Sequence, residues 1–353
     1  MDKMKVAVIG AGTWGQAHAS IYSEYSAVQL CAICDTNEQR AYNLAKKHGL
    51  PDSAVFTDYR EMLEKVELDA VSIVTPDFLH RDFAIDCAEA GKHIMIEKPL
   101  ATNEKDVFDI YDAVKKNNVR AMVDFHNRWS PPFALMQRDI ASGRLGRALH
   151  AYVRLNDTQW VATDLLPWAA KSSILWFLGS HSLDTLRWTI GSEVKRLYAV
   201  KREGVLKARG IDTVDAYQTV LEFENGAIAT MENTWDIPDN HPNVNDFKFN
   251  IVLEKGSYNL DLSNHNLIQR IDDGGVVVPD MLVNNFVRDR AMGFAYQSIR
   301  HFIDCLLTDR PFHVSLEDAA NVSLTILKIF ESAESGKPAD VTLPFKVKNI
   351  YGE

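Results

Sequence analysis

The segment Met95-Ile-Glu-Lys-Pro-Leu100 carries the first residues in the chain whose types and spacing suggest chemistry. His93-Ile-Met-Ile96 is a short apolar run that suits a buried strand, and it ends in an acid, a base and a proline. Pro99 fixes its own φ and restricts Lys98 before it, so the turn has little freedom. An ammonium held at the carboxyl end of a parallel strand lies where open α/β sheets bind ligands. On its own the segment reads better as a surface Glu-Lys pair at a strand end. Its surroundings change that reading.

Lys5-Val-Ala-Val-Ile9 is a buried-strand pattern, followed at once by Gly10-Ala-Gly-Thr-Trp-Gly15 and a helical stretch. This is G-x-G-x-x-G in strand–turn–helix context. The first glycine permits the turn, the second admits a pyrophosphate, and the third lets helix pack on strand. Thr13 and Trp14 lie in the same loop, at the positive end of the helix. The next strand-like run ends in Asp35, twenty residues beyond Gly15. A carboxylate there accepts the adenosine ribose hydroxyls and repels a 2′-phosphate. Thr36 follows, where an NADP enzyme is expected to offer a cation. These residues favour NAD over NADP. Asp69-Ala-Val-Ser-Ile-Val-Thr-Pro76 brings a further strand end into the same crevice, with Thr75, Pro76 and His80 as candidate contacts.

Strand and helix patterns alternate up to Phe125, the rhythm of a doubly wound parallel sheet. After a stretch rich in Gly and Pro, strand-like runs follow at 148–155, 194–201, 214–223, 227–235, 247–253 and 258–262. Asn225-Gly226 and Lys255-Gly256 read as hairpin turns, which predicts a mostly antiparallel sheet. Two amphipathic helices close the pattern. The expected organisation is an α/β Rossmann domain over 1–125 and an α+β domain with a large open-faced sheet over 126–353. Ser180 reads as the N-cap of a helix carrying Leu183, Leu186 and Ile190 on one face. That places His181 in the first turn, where the positive helix end disfavours imidazolium and leaves a neutral base.

A formal charge of −10 argues against nucleic acid and anionic membrane as partners. No apolar run reaches the length of a membrane span, and the first strand begins too early for a signal peptide. Four cysteines are too few for a disulfide framework and suit a reducing cytoplasm. Cys31 and Cys34 form a C-x-x-C, but odd spacing on a strand sends the thiols to opposite faces. No metal-ligand spacing appears, so no metal is expected.

With Gly10–Gly15, Thr75-Pro76, Ala90-Gly-Lys-His93, Glu97-Lys-Pro99 and Gly179-Ser-His-Ser-Leu-Asp184 in view, the chain resembles the Gfo/Idh/MocA family nearly end to end. Arg128 and Pro131 match the family's Arg-x-x-Pro, and Gly143-Arg-Leu-Gly146, Phe223-Glu-Asn-Gly226 and Ser332–Gly336 fall in family order. The resemblance implies hydride transfer between NAD and a secondary alcohol of a sugar, sugar derivative or cyclitol. It places substrate between the open-faced sheet and the nicotinamide, and that sheet often makes a homodimer or homotetramer. Lys98 and His181 are the implied catalytic residues. An unperturbed lysine, near pKa ~10.4, is a poor proton acceptor, so Lys98 needs a base or relay nearby.

The implied cofactor contacts are the loop residues above with Asp35, Thr75, Pro76, His80, Glu97, Lys98 and Arg128. The implied substrate contacts are Lys98, Arg128, Asn156, Trp168, Lys171 and His181. Two departures stand out. Many relatives carry an Asp four residues before the histidine, where this chain has Phe177; Lys171 and Ser172 are candidates to replace its contacts, and Asp184 to orient His181. Asp124 stands where relatives often have glycine. Trp160, Trp168 and Trp235 suit sugar stacking or core burial. Two alternatives stay open: transient oxidation by tightly bound NAD to cleave a glycoside, and a catalytically silent NAD-binding regulator.

Overall fold

The computed structural model describes residues 3–263, 267–288 and 290–347. The chain groups into two compact units, one formed by residues 1–126 with 284–320 and the other by 127–283 with 321–353.

The first unit opens with β1 (Met4–Ile9), α1 (Thr13–Glu24), β2 (Val28–Cys34), α2 (Glu38–Lys47), β3 (Val55–Phe56), α3 (Tyr59–Lys65) and β4 (Ala70–Ile73). It continues through α4 (His80–Glu89), β5 (His93–Ile96), α5 (Glu104–Lys116) and β6 (Ala121–Val123). The strands order as β3-β2-β1-β4-β5-β6, all parallel, with helical crossovers. This is the doubly wound sheet expected from the alternation, and its direction reverses between β1 and β4. Val8, Ile33, Val71, Ile73, Ile94, Ile96 and Met122 are fully buried. Such near-continuous apolar strands follow from helices covering both faces.

One row of the ladder matters for the chemistry. Cys34 pairs with Ile9, Ile9 with Ile73, Ile73 with Ile96, and Ile96 with Val123. The residues that follow each of them therefore form a second row: Asp35, Gly10, Val74, Glu97 and Asp124. Backbone bonds carry the register one step further, from Gly10 N to Cys34 O, Glu97 N to Ile73 O and Asp124 N to Ile96 O, at 2.7, 3.0 and 2.9 Å.

The second unit has α6 (Pro131–Ala141), with proline at its first helical position, and β7 (Ala148–Asp157). Then come α7 (Ser180–Ile190), β8 (Val194–Arg202), α8 (Val205–Ala208), β9 (Ala216–Phe223), β10 (Ile228–Thr234), β11 (Asn245–Leu253) and β12 (Gly256–Asp261). Two short hairpins follow, β13 (Arg270–Asp272) with β14 (Gly275–Val277) and β15 (Asn285–Val287) with β16 (Arg290–Met292); the latter belongs to the first unit. Helices α9 (Ala295–Thr308) and α10 (Leu316–Ser335) and strand β17 (Ala339–Asp340) complete the order.

The larger sheet runs β12-β11-β7-β10-β9-β8-β17, antiparallel except where β7 meets β10. Alternate residues of β9 and β11 are buried, so one face is core. Val153, Leu221, Met231 and Phe249 lie on it, under Phe133 of α6 and Leu183 and Leu186 of α7. The opposite face exposes Tyr198, Val200, Val220 and Ile228.

Two expectations differ from the structure. A single division after residue 125 omits the return of 284–320, whose helix α9 sends Ile299, Phe302 and Ile303 into the first unit's core. And Ser180 is not an N-cap. A π-helical turn at Leu175–Gly179 runs straight into α7, and the Ser180 hydroxyl donates to the Trp176 carbonyl at 2.8 Å. His181 therefore sits inside a continuous helix and feels no free N-terminus. Ser315 caps α10, accepting the Asp318 N–H at 3.0 Å.

Phe302, stacked on Phe312 with centroids 5.4 Å apart, tests the role of the returning helix. Phe302→Ala should cost about 3–5 kcal/mol in urea unfolding. A loss below 1 kcal/mol would mean α9 contributes little to the core.

Candidate active site

The glycine loop is built for close approach from outside. Gly10 has φ +102°, and a Cβ there would lie 2.2 Å from the Val74 carbonyl oxygen; at Gly15 a Cβ would lie 1.9 Å from the Gly10 oxygen. These two glycines let the turn and the helix pack. Gly12 is different: a Cβ there would meet nothing within 4 Å. Its small size is not needed by the protein, which fits a ligand approaching the backbone. Gly12 is also the N-cap of α1, without a side-chain cap and without an acid in the first turn, so the helix end presents its N–H groups to an anion. Thr13 is exposed, and Trp14 stacks on His126 at 5.4 Å.

Asp35 braces this loop. Its Oδ2 accepts the Ala11 N–H and its Oδ1 the Asn37 N–H, both at 2.8 Å. Arg40 of α2 lies 3.4 Å from Oδ1, a cation near the ribose position that spacing alone did not reveal. At the end of β4, Thr75 and Pro76 are half-buried, and Thr75 Oγ1 is buried without a hydrogen-bond partner in the protein, as a ligand contact would leave it. These features fit a dinucleotide.

His80 is fully buried and faces backbone carbonyls with both ring nitrogens, Pro99 O at 2.8 Å and Thr75 O at 3.1 Å. At least one of these is an N–H donation. His80 therefore ties the Thr75 turn to the Glu97-Lys98-Pro99 turn, rather than standing open to a cofactor. The Lys98–Pro99 peptide is cis. Lys98 is half-buried, and its charge acts on Glu97, Asp124 and His126.

Beneath Lys98 lies a polar cluster drawn from four elements. His18 of α1 bridges Ser72 of β4 through Nδ1 at 3.0 Å and Glu97 through Nε2 at 3.2 Å. Tyr22 of α1 shares a short hydrogen bond with Ser72. Glu97 is 7% exposed, and Asp124 is wholly buried beside it. Burial pushes Glu97 up, but the His18 hydrogen bond and the neighbouring charge of Lys98 outweigh it and hold the carboxyl below its usual range. Burial, then the charge of Glu97, pushes Asp124 well above its usual range. Burial lowers His126 to about 4, so its ring is neutral near pH 7. Asp124 was visible in sequence only as a departure from glycine. His18 lies three residues past Gly15, on the buried face of α1.

In the second unit His181 is 4% exposed, within a helix whose every residue is buried. Arg128 and Asp184 form an enclosed two-point ion pair, Nε to Oδ2 at 3.0 Å and a terminal nitrogen to Oδ1 at 2.6 Å. The guanidinium also lies over Trp188 at 5.8 Å. Both Asp184 oxygens accept from Arg128, and the pair fixes α7 to the segment after β6. Asn156 is 3% exposed and donates to Glu232 at 2.8 Å. Phe177 packs between Trp168 and Trp235, with centroids 6.4 and 5.8 Å away. Lys171 is exposed, at the end of a 3₁₀ turn.

Residues 4–125 match the oxidoreductase family with an NAD-binding Rossmann fold, and residues 133–259 match the GFO/IDH/MocA C-terminal domain. The chain is 31% identical over 268 residues to levoglucosan dehydrogenase of Pseudarthrobacter phenanthrenivorans, covering 66% of this chain and 68% of that protein. It is 24% identical over 357 residues to scyllo-inositol 2-dehydrogenase (NAD(+)) of Bacillus subtilis, covering 99% and 98%. Scyllo-inositol dehydrogenase of Lactobacillus casei, solved with NAD(H) and scyllo-inositol, superposes with a TM-score of 0.81 over 96% of this chain and 99% of that one. At 17% identity this last likeness speaks to the fold. Fold and nucleotide loop define an NAD-binding oxidoreductase. More narrowly, the chain belongs to the Gfo/Idh/MocA family, and its cofactor is NAD.

The loop geometry separates two glycine substitutions. Gly12→Ala should leave thermal stability nearly unchanged while weakening NAD at least about tenfold, because its methyl meets only the ligand. Gly10→Ala should destabilise the fold itself. Calorimetry and NAD titration read both, and equal stability losses would refute the distinction. Asp35→Ser should weaken NAD and relax discrimination against NADP; an unchanged preference would mean the ribose is held elsewhere.

Proposed function

We propose that this chain transfers a hydride between NAD and a secondary alcohol carbon of a sugar, sugar derivative or cyclitol. The observation that carries the reading is Lys98. It stands half-buried at the carboxyl end of β5, in the same sheet as the nucleotide loop, on a turn tied down by His80. NAD supplies the hydride acceptor or donor. Lys98 hydrogen-bonds the reacting oxygen and stabilises negative charge as it develops. A fixed ammonium serves this task well because it needs no reorganisation during the reaction. His181 takes the alcohol proton. The related levoglucosan and inositol dehydrogenases support the substrate class.

Phe177 removes the acidic partner that the family resemblance led one to expect near His181, and an aromatic group takes its place. Trp168 and Phe177 then offer an apolar surface in the second unit, suited to the C–H face of a sugar ring. Arg128 acts by locking Asp184, which supports helix α7 rather than touching substrate.

We place the protein in the cytoplasm, in keeping with its free cysteines; none of the described helices is long and apolar enough to cross a membrane. The exposed sheet face with Tyr198, Val200, Val220 and Ile228 supports a homodimer or homotetramer.

A screen of polyols, sugars and anhydrosugars with NAD, read as NADH absorbance, tests the reaction. Release of NADH with a defined substrate is expected. Glycoside cleavage without net NADH would replace the reading with transient oxidation, and NAD binding without any turnover would make the chain a regulator. Lys98→Ala should cut kcat by at least about a hundredfold while NAD still binds; retained turnover would remove Lys98 from the chemistry.

A further inference from the structure

We infer that Asp124 and Glu97 hold a single proton between them beside Lys98, and that this pair, anchored through Glu97 to His18, is a positioning group that keeps the lysine cationic. The geometry comes from the sheet. Ile96 pairs with Val123, so Glu97 and Asp124 leave adjacent parallel strands side by side. Both are enclosed, Asp124 completely. Neither Asp124 oxygen meets a donor in good hydrogen-bonding geometry, although Ser298 of α9 and Glu97 flank it. The Ser298 hydroxyl donates instead to the Ala295 carbonyl at 2.9 Å. Two ionised carboxylates cannot share such a space, and the structure directs the available hydrogen bond, from His18, to Glu97.

The groups facing the pair complete the assignment. Helix α1 contributes His18 and Tyr22, β4 the hydroxyl of Ser72, and α9 the hydroxyl of Ser298. Lys98 follows Glu97 directly, and His126, neutral near pH 7, follows Asp124 by two residues. With Asp124 protonated and Glu97 ionised, the cluster presents one negative charge to Lys98. That is enough to favour the ammonium, without the cost of a second buried anion. His18, Glu97 and Asp124 also bring their ligand atoms within 4.8 Å of one another, close enough to surround a small cation. A proton accounts for the same arrangement while fitting the direct His18–Glu97 bond and the adjacent ammonium.

The catalytic consequence rests on the proposed role of Lys98; the shared proton does not, and it is measured without substrate or NAD. Infrared spectra of the protein at pH 7 should contain the carbonyl stretch of a buried carboxylic acid, and Asp124→Asn should lose it. Linkage gives a second readout. An acid whose folded pKa is raised stabilises the fold below its unfolded pKa, near 3.9, and loses that contribution as pH rises through the folded value. The Tm advantage of Asp124→Asn over the parent should therefore grow from pH 5 to pH 8. If that variant fails to fold, Glu97→Gln serves: removing the neighbouring charge should make the Asp124 carbonyl band titrate away at lower pH than in the parent.

In Glu97→Gln the alkaline limb of kcat/KM should also move down by about one pH unit or more, because Lys98 loses its negative neighbour. Absence of the carbonyl band at pH 7, or a stoichiometric divalent cation by elemental analysis, would overturn the shared proton. A band that behaves as described with an unmoved alkaline limb would overturn the link to Lys98 alone.

Discussion

The hydrogen-bonded register of the parallel sheet is the constraint on which the first unit's chemistry depends. Because Cys34, Ile9, Ile73, Ile96 and Val123 lie in one row, the residues after them emerge together at the carboxyl edge. Asp35, Gly10, Glu97 and Asp124 are far apart in sequence, yet the ladder fixes their spacing to that of neighbouring strands. Slipping a strand by one residue would exchange the side chains packed under the two helical layers, so the close fit on both faces holds the register. Core packing and site geometry are therefore specified by the same pairing.

The two turns that follow this row are braced by buried polar groups instead of by further apolar packing. His80 binds the backbone on both sides of the crevice, and Asp35 accepts N–H groups from the loop ahead of α1 and from the start of α2. The bonds to Pro99, Thr75 and Ala11 satisfy backbone groups that are wholly or partly enclosed. The second unit repeats the principle in another form: Arg128 with Asp184, and Arg187 with Glu193, which also accepts from the Asn321 amide, fasten α7 through charged contacts. Breaking one partner of such a pair leaves an uncompensated charge, which makes these contacts strong determinants of where the helix can lie.

His181 shows how local signals can mislead. Ser180 has the residue type of an N-cap, but the preceding turn is itself helical, with one extra residue per turn. That π-turn depends on what Leu175, Trp176 and Leu178 pack against, which no short window of sequence contains. His181 thus lies enclosed within a continuous helix, away from any free helix end. Phe177 was legible as a departure from the family pattern, yet its aromatic neighbours Trp168 and Trp235 lie nine residues before it and far beyond it, joined only by folding.

The sequence by itself determined the doubly wound architecture, the nucleotide loop, the acid at the end of β2 and the lysine before Pro99, because each is written in contiguous residues with short-range steric meaning. Gly10, Gly12 and Gly15 announce a backbone that must come close to something, and strand periodicity announces which faces are buried. Tertiary structure alone decided that His80 is a clamp, that Arg128 belongs to Asp184, that α9 returns to the first unit's core, and that Asp124 meets Glu97. These are partnerships between distant segments. Their energies come from burial and from the low dielectric around charged groups, quantities that exist only once the chain has excluded water.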